Sequence, residues 1–75
     1  MNIQQHITAN PDIMLGKPII RGTRITVELI LNKLSDGFSV SDILDMYPHL
    51  KVEGIMACIA YAAAVIQSEE MIKTA

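Results

Sequence analysis

The sequence predicts a mainly α-helical domain in which an extended arm or short β-ribbon precedes a three-helix bundle. From residue 27 onward, apolar residues recur at spacings of three and four in three separate segments, which is the helical pattern. Before that point, turn-forming residues separate short β-branched stretches. A chain of 75 residues holds one domain. We divide it into an arm over residues 1–26 and a bundle over residues 27–75.

The arm is punctuated by turn formers at Asn10-Pro11-Asp12, at Gly16-Lys17-Pro18 and at Gly22. Two short strands, Ile19-Ile20 and Arg24-Ile25-Thr26, are expected on either side of a turn at Arg21-Gly22-Thr23, where glycine adopts a positive φ at low cost. A two-stranded ribbon is weak by itself. The arm is therefore expected to pack on the helices or on a second copy of the chain.

The first two helices have recognisable ends. Thr26 suits an N-cap for the first helix, and Gly37 suits the left-handed residue that follows its last turn. Ser39 and Asp42 have the spacing of a capping box at the start of the second helix, which Pro48 ends. The expected buried stripes are Val27, Ile30, Leu31 and Leu34 on the first helix, and Val40, Ile43, Leu44 and Tyr47 on the second.

The third helix is predicted from about Val52 to about Ile72. Its stripe of Ile55, Ile59, Ala62 and Ile66 is expected to face the core, yet its other side is also apolar. A helix that is apolar all round is buried all round, which so short a chain achieves only with a partner. We therefore expect a homodimer or higher oligomer, or a partner protein, on this helix. The candidate interface residues are Met56, Ala60, Ala63 and Ala64.

Charge and cysteine content narrow the class of protein. The net charge is −2, but residues 1–34 carry +2 and residues 35–75 carry −4. The basic half could bind phosphate, although a charge asymmetry this small is also typical of a solvated surface.

The lone Cys58 lies in an apolar run and is expected to be buried and inert. The polar start of the sequence and the single cysteine favour a reducing cytoplasm, and the apolar run over residues 55–66 is too short to span a membrane.

The sequence gives little support for catalysis. Asp42 and Asp45 lie on one helix face, but such a pair of carboxylates is ordinarily part of the solvated side of an amphipathic helix. His6 and His49 share no metal-ligand or Cys–His spacing with Cys58. The glycine-rich part of the arm lacks the patterns of phosphate-binding loops. We therefore expect a protein without enzymatic activity, cofactor or metal.

The break between the second and third predicted helices is typical of a helix-turn-helix domain. The start of the third helix offers Lys51 and Glu53 among small apolar residues, which is unsuited to reading bases in a groove. The better candidates for DNA binding lie in the arm: Lys17, Arg21, Thr23 and Arg24. The open alternative is that the two arginines brace the arm by capping helices or by pairing with Asp12, Asp42 or Asp45.

Several stretches together resemble domain-of-unknown-function family 433 over about residues 7–65. They are Asn10-Pro11-Asp12-Ile13, Gly16-Lys17-Pro18-Ile19-Ile20-Arg21-Gly22-Thr23-Arg24-Ile25, Gly37-Phe38-Ser39, Ile43-Leu44-Asp45-Met46-Tyr47-Pro48-His49-Leu50 and the alanine-rich residues 57–64. The resemblance implies a homeodomain-like three-helix fold with an N-terminal arm. It also implies an antitoxin of a type II toxin–antitoxin pair that neutralises a PIN-like ribonuclease toxin and, as such antitoxins commonly do, binds its own promoter DNA as a dimer.

Two other readings of the residues stay open. One is a homo-oligomeric structural or adaptor module without DNA binding, and the other is a small enzyme or ligand-binding protein. The chain also departs from the family pattern ahead of the third helix, where Lys51-Val52-Glu53-Gly54 lacks the usual threonine cap and one acidic residue. Losing a good cap costs about 1 kcal/mol. We therefore expect this helix start to be frayed or docked on a partner.

Overall fold

In the computed structural model, which describes residues 1–68, three α-helices follow a short antiparallel sheet. The helices are α1 (Val27–Ser35), α2 (Val40–Met46) and α3 (Val52–Ser68), and the strands are β1 (Ile7–Thr8) and β2 (Ile19–Ile20). A one-turn 3₁₀ helix occupies Ile3–Gln5, and Met14–Gly16 form a turn in which all three residues have positive φ. The predicted mainly α fold with a short N-terminal β-ribbon is confirmed. The predicted end of the third helix near Ile72 lies outside the described residues.

The sheet differs from the predicted ribbon. β2 pairs with β1, in the register Ile7 with Ile20 and Thr8 with Ile19. The predicted strand Arg24-Ile25-Thr26 contributes only one bridge, between Thr26 and Ile19. The cause is a tight turn, in which the Thr23 hydroxyl donates to the Ile20 carbonyl at 2.7 Å and accepts from the Ile25 amide at 2.9 Å. The Ile20 carbonyl and the Ile25 amide are thereby occupied and do not extend the pairing between β2 and residues 24–26.

The predicted ends of α1 are confirmed. The Thr26 hydroxyl accepts a hydrogen bond from the Leu29 amide at 3.0 Å. At the other end, Gly37 has φ +98°, and the amides of Gly37 and Phe38 donate to the carbonyls of Leu34 and Lys33 at 3.1 Å each. This is the Schellman arrangement, which requires a residue that tolerates the left-handed region.

The predicted capping box at the start of α2 is also confirmed. The Asp42 amide donates to the Ser39 hydroxyl at 3.0 Å, and the Ser39 amide donates to an Asp42 carboxylate oxygen at 2.8 Å. Two amides that the helix leaves without partners are thereby satisfied. The break between α1 and α2 is therefore fixed by local chemistry at both helix ends.

The core lies between the sheet and the inner faces of the three helices. Its fully buried side chains include Ile30 from α1, Ile43 from α2, and Ile55 and Cys58 from α3. The predicted core stripe of α3 is partly wrong, because Ile59 is 41% exposed and Ile66 is 71% exposed. The buried face instead contains Gly54, Ala57 and Cys58. An apolar pattern on every side of a helix does not define which side faces inward.

The start of α3 packs on the sheet of its own chain. Gly54 is buried, and a β-carbon built there would lie 3.5 Å from Cγ2 of Ile20. The helix start is therefore not frayed, because α3 is regular from Val52 and Gly54 packs on Ile20, whereas docking of this helix on a partner stays a prediction. Among residues 1–68, no helix combines the length and apolarity needed to cross a membrane.

The loop before β2 contains backbone strain. Met14 and Leu15 have φ of +50° and +59°, a region that disfavours residues with a β-carbon. Leu15 is also 93% exposed, so packing does not compensate for its conformation. The loop thus keeps two left-handed non-glycine residues in succession before Gly16.

Candidate functional site

The turn at residues 21–24 presents two of the four DNA-binding candidates to solvent. Arg21 and Arg24 are exposed on either side of Gly22, which has φ +83°. Arg21 is oriented by the N-terminal segment, because its Nη2 donates to the Gln4 carbonyl at 2.7 Å and its amide donates to the His6 carbonyl at 2.7 Å. A guanidinium group has five N–H donors, so most of them stay free for a ligand.

The other two candidates have structural partners. Thr23 is half-buried and holds the turn through the two bonds described above. Lys17 forms an ion pair with Glu28 of α1 at 2.8 Å, with the two side chains 51% and 61% exposed. An exposed pair of this kind contributes at most about 1 kcal/mol. The structure therefore places Arg21, Thr23 and Arg24 together at one turn and directs Lys17 toward α1.

The bracing alternative has different partners from those expected. Within residues 1–68, neither arginine pairs with Asp12, Asp42 or Asp45. Arg21 instead braces the arm through the Gln4 carbonyl. Arg24 makes no hydrogen bond or ion pair with the described residues, so its side chain has no structural task there.

Two adjoining clefts flank this turn, and we call them the turn clefts. The larger cleft, of about 880 Å³, is lined by Arg21, Arg24, Tyr47 and His49 among others. The smaller cleft, of about 430 Å³, is lined by Arg21, His49 and, from other segments, by His6, Lys51 and Glu53. Arg21, Thr23 and His49 line both clefts. The arm and the α2–α3 loop therefore form one continuous surface, in which cationic and polar side chains lie among apolar ones.

Sequence reasoning did not join His6, His49 and Lys51 to the arm arginines. These three residues share no motif and come from segments far apart in the sequence. The pairing of β1 with β2 brings His6 beside Arg21, and the packing of Gly54 on Ile20 brings the start of α3 to the same place. Only tertiary contacts of this kind could have identified the group.

A second exposed feature runs along α3. Its outward side carries a regular apolar series of Val52, Met56, Ile59, Ala63 and Ile66, which we call the α3 stripe. The intervals of four, three, four and three residues are those of a helix that packs against another helix. Two of the four predicted interface residues, Met56 and Ala63, belong to the stripe. Ala64 is exposed beside it, and Ala60 is half-buried.

An apolar groove of about 470 Å³ lies between α1 and α3, next to the end of the stripe. Its walls include Leu31 of α1 and Tyr61 and Val65 of α3, and Ile66 belongs to both the groove and the stripe. The groove and the stripe thus form a continuous apolar surface.

Cys58 and Asp42 have shifted pKa values, and the cause of each shift is its structural environment. Burial raises the pKa of the Cys58 thiol to about 11, so the thiol stays protonated at neutral pH. Hydrogen bonds from the Ser39 amide and hydroxyl lower the pKa of Asp42, whose carboxylate closes the capping box. Within residues 1–68, no three His, Cys, Asp or Glu side chains are grouped closely enough to hold a metal ion.

Comparisons with known proteins agree with this architecture. The chain is 38% identical over 58 residues to the uncharacterized protein y4eO of Sinorhizobium fredii, an alignment that covers 77% of this chain and 26% of that protein. It therefore spans about a quarter of the length of this curated relative. The crystal structure of a DUF433 member protein from Anabaena variabilis superposes with a TM-score of 0.79 at 26% identity, covering 95% of this chain and 72% of that one.

The family comparison covers most of the sequence. The model of the family described as "Protein of unknown function (DUF433)" matches residues 7–62, from β1 to the middle of α3. The matched region includes the larger turn cleft, the smaller cleft except for Gln5 and His6, and three of the five residues of the α3 stripe. The resemblance seen in the sequence is thereby confirmed, and the chain belongs to the DUF433 family.

Proposed function

We propose that this protein acts by binding rather than by catalysis, as the antitoxin of a type II toxin–antitoxin pair. It would neutralise a PIN-like ribonuclease toxin in the cytoplasm and bind its own promoter DNA through the arm. The antitoxin role comes from the family resemblance of the sequence. The structural observation that supports it is the α3 stripe, since an exposed apolar series at helix-packing intervals is suited to a partner protein.

The size of the apolar surface sets what the partner must cover. Val52, Met56, Ile59 and Ile66 are 47%, 37%, 41% and 71% exposed, so their exposed parts amount to about two whole side chains. Burying that much apolar surface contributes about 3 to 6 kcal/mol. Association itself costs about 4 to 15 kcal/mol. A stable complex therefore needs further contacts, and the adjoining α1–α3 groove supplies them.

The alternative is a homo-oligomeric structural module without DNA binding. The same stripe supports it, because two copies of α3 can pair along a regular apolar series. The two functions differ in whether a ribonuclease is bound. They are therefore separated by measuring both self-association and ribonuclease binding on one set of variants.

The test is co-expression of the chain with the product of the neighbouring gene, which the proposal expects to be the ribonuclease, followed by co-purification and a ribonuclease assay. The variant Ala63→Glu places a charge in the centre of the stripe at an exposed position, so folding is expected to survive. The control Ser41→Glu makes the same charge change at an exposed position of α2. We expect the parent and the control to co-purify with the ribonuclease and inhibit it, and Ala63→Glu to lose both properties.

Light scattering of the isolated proteins completes the test. A parent that neither binds nor inhibits the ribonuclease contradicts the antitoxin role. If that parent is also a dimer and Ala63→Glu is a monomer, the structural module is the better description. A circular dichroism spectrum of each variant verifies that the fold is retained.

A further inference from the structure

The positive charges of residues 1–68 are concentrated at the turn clefts. Residues 1–68 contain five Lys and Arg residues and six Asp and Glu residues. Three of the five cations, Arg21, Arg24 and Lys51, line the clefts, whereas one of the six acids, Glu53, does so. The residues that line the clefts therefore carry a net charge of +2, whereas the rest of residues 1–68 carries a net charge of −3. Such a local excess attracts a polyanion despite the acidic total.

The polar groups between these cations are hydrogen-bond donors. His49 lines both clefts, and His6 lines the smaller one. Each imidazole ring carries at least one N–H, and each guanidinium presents a fork of N–H groups that matches phosphate oxygens. Arg21 is already held in place by the Gln4 carbonyl at 2.7 Å, so binding a phosphate would immobilise little additional side-chain freedom.

The aromatic residues distinguish duplex from single-stranded nucleic acid. Proteins that bind single strands stack bases on exposed aromatic rings. Tyr47 lines the larger cleft but packs against the core, and the 40%-exposed Phe38 lines neither cleft. Instead, the Lys33 ammonium lies 5.2 Å from the centre of the Phe38 ring. The half-buried Tyr47 is thus the one Phe, Tyr or Trp ring among the lining residues of the two clefts, so the clefts offer cations rather than a row of exposed rings, and the backbone phosphates of a duplex are the ligand that fits better.

We propose that the turn clefts bind the phosphate backbone of duplex DNA, with Arg21 and Arg24 from the arm and Lys51 from the α2–α3 loop as the cations. This inference specifies the DNA-binding part of the proposed function and rests on it. It replaces Lys17, which is paired with Glu28, by Lys51, which sequence reasoning set aside. Contacts of this kind fix position on the duplex and contribute no base readout.

The test measures the affinity of the isolated protein for a fluorescein-labelled duplex of the DNA upstream of its gene, over a series of salt concentrations. The side chains of Arg24 and Lys51 make no hydrogen bond or ion pair with the described residues, so the double variant Arg24→Ala with Lys51→Ala is expected to keep the fold. The logarithm of affinity falls with the logarithm of salt by about 0.9 for each phosphate contact. We expect the double variant to lose about 1.8 of that slope.

A slope of 0.9 means that each phosphate contact strengthens binding about eightfold when the salt concentration falls from 1 M to 0.1 M. A variant that lacks the contact loses this gain. Lys33→Ala removes one cation that lines neither cleft and is expected to keep the parent slope. Glu53→Gln removes the carboxylate of the smaller cleft and is expected to lower the Kd. This second variant gains binding, so a loss of folding cannot imitate its expected result.

Two results overturn the proposal in different ways. If the parent binds the duplex and the double variant keeps its slope and Kd, the phosphates are bound elsewhere and the inference alone fails. If the parent does not bind duplex DNA even at low salt, the DNA-binding part of the proposed function fails with it. The ribonuclease assay is independent of both results.

Discussion

Replacing Gly54 by alanine is expected to stabilise the protein. Gly54 lies in the first turn of α3, where alanine is favoured over glycine by about 0.5 to 1 kcal/mol. The new β-carbon would lie 3.5 Å from Cγ2 and 3.8 Å from Cδ1 of Ile20, which are ordinary van der Waals distances. The methyl group therefore fills space on the sheet without a clash. A domain of this size gains about 4 to 8 °C in Tm per kcal/mol.

The matched control is Gly37→Ala. Gly37 has φ +98°, and a β-carbon there would meet nothing within 4 Å, so the backbone conformation alone determines the effect. Forcing alanine into the left-handed region costs about 1 to 2 kcal/mol. Thermal unfolding followed by far-UV circular dichroism, at one fixed protein concentration, is expected to show a raised Tm for Gly54→Ala and a lowered Tm for Gly37→Ala. A lowered Tm for both would refute the packing of the α3 start against β2.

Three further predictions concern the capping box, the cysteine and the strained loop. The pKa of Asp42 is lowered in the folded state, so its contribution to stability is present above the ordinary aspartate pKa and is lost as the pH falls through the lowered value. The Tm of Asp42→Asn is therefore expected to fall less in acid than the Tm of the parent, as measured by thermal unfolding at a series of pH values. Cys58 is fully buried with its pKa raised to about 11, so a thiol reagent at neutral pH is expected to label it only at the rate of opening, and fast labelling of the native protein would contradict this. Leu15→Gly is expected to raise the stability in a denaturant titration by up to about 1 kcal/mol, because Leu15 has φ +59° and is 93% exposed, and the relief of this strain exceeds the added freedom of glycine in the unfolded chain. A lowered stability would contradict this prediction.

The parts of the fold that local chemistry determines were predictable from the sequence. Thr26, Gly37 and the pair of Ser39 and Asp42 each act on backbone groups within a few residues, and each was assigned correctly. The inward side of α3 was not, because alanine and isoleucine occur on all its sides and the choice is made by contact with the sheet. β1 was missed because two residues are too few to show a periodicity.

The candidate site shows the same division. Arg21 and Arg24 stand out in the sequence as cations around a glycine turn, so the arm was a reasonable candidate for DNA binding. Lys51 and His49 join them only through the packing of α3 and its preceding loop against the arm. Lys17 is close to the arginines in sequence and yet pairs with α1, because Glu28 lies within reach of its ammonium group.

The contact of α3 with β1 and with the Ile3–Gln5 turn determines how the domain must fold. More than 40 residues separate β1 from α3, so forming this contact closes most of the described chain into a loop, which is a slow step relative to helix formation. Removal of residues 1–8 would take away β1 and the Gln4 carbonyl that holds Arg21. The contact between the first eight residues and α3 cannot form in a nascent chain until α3 has been synthesised.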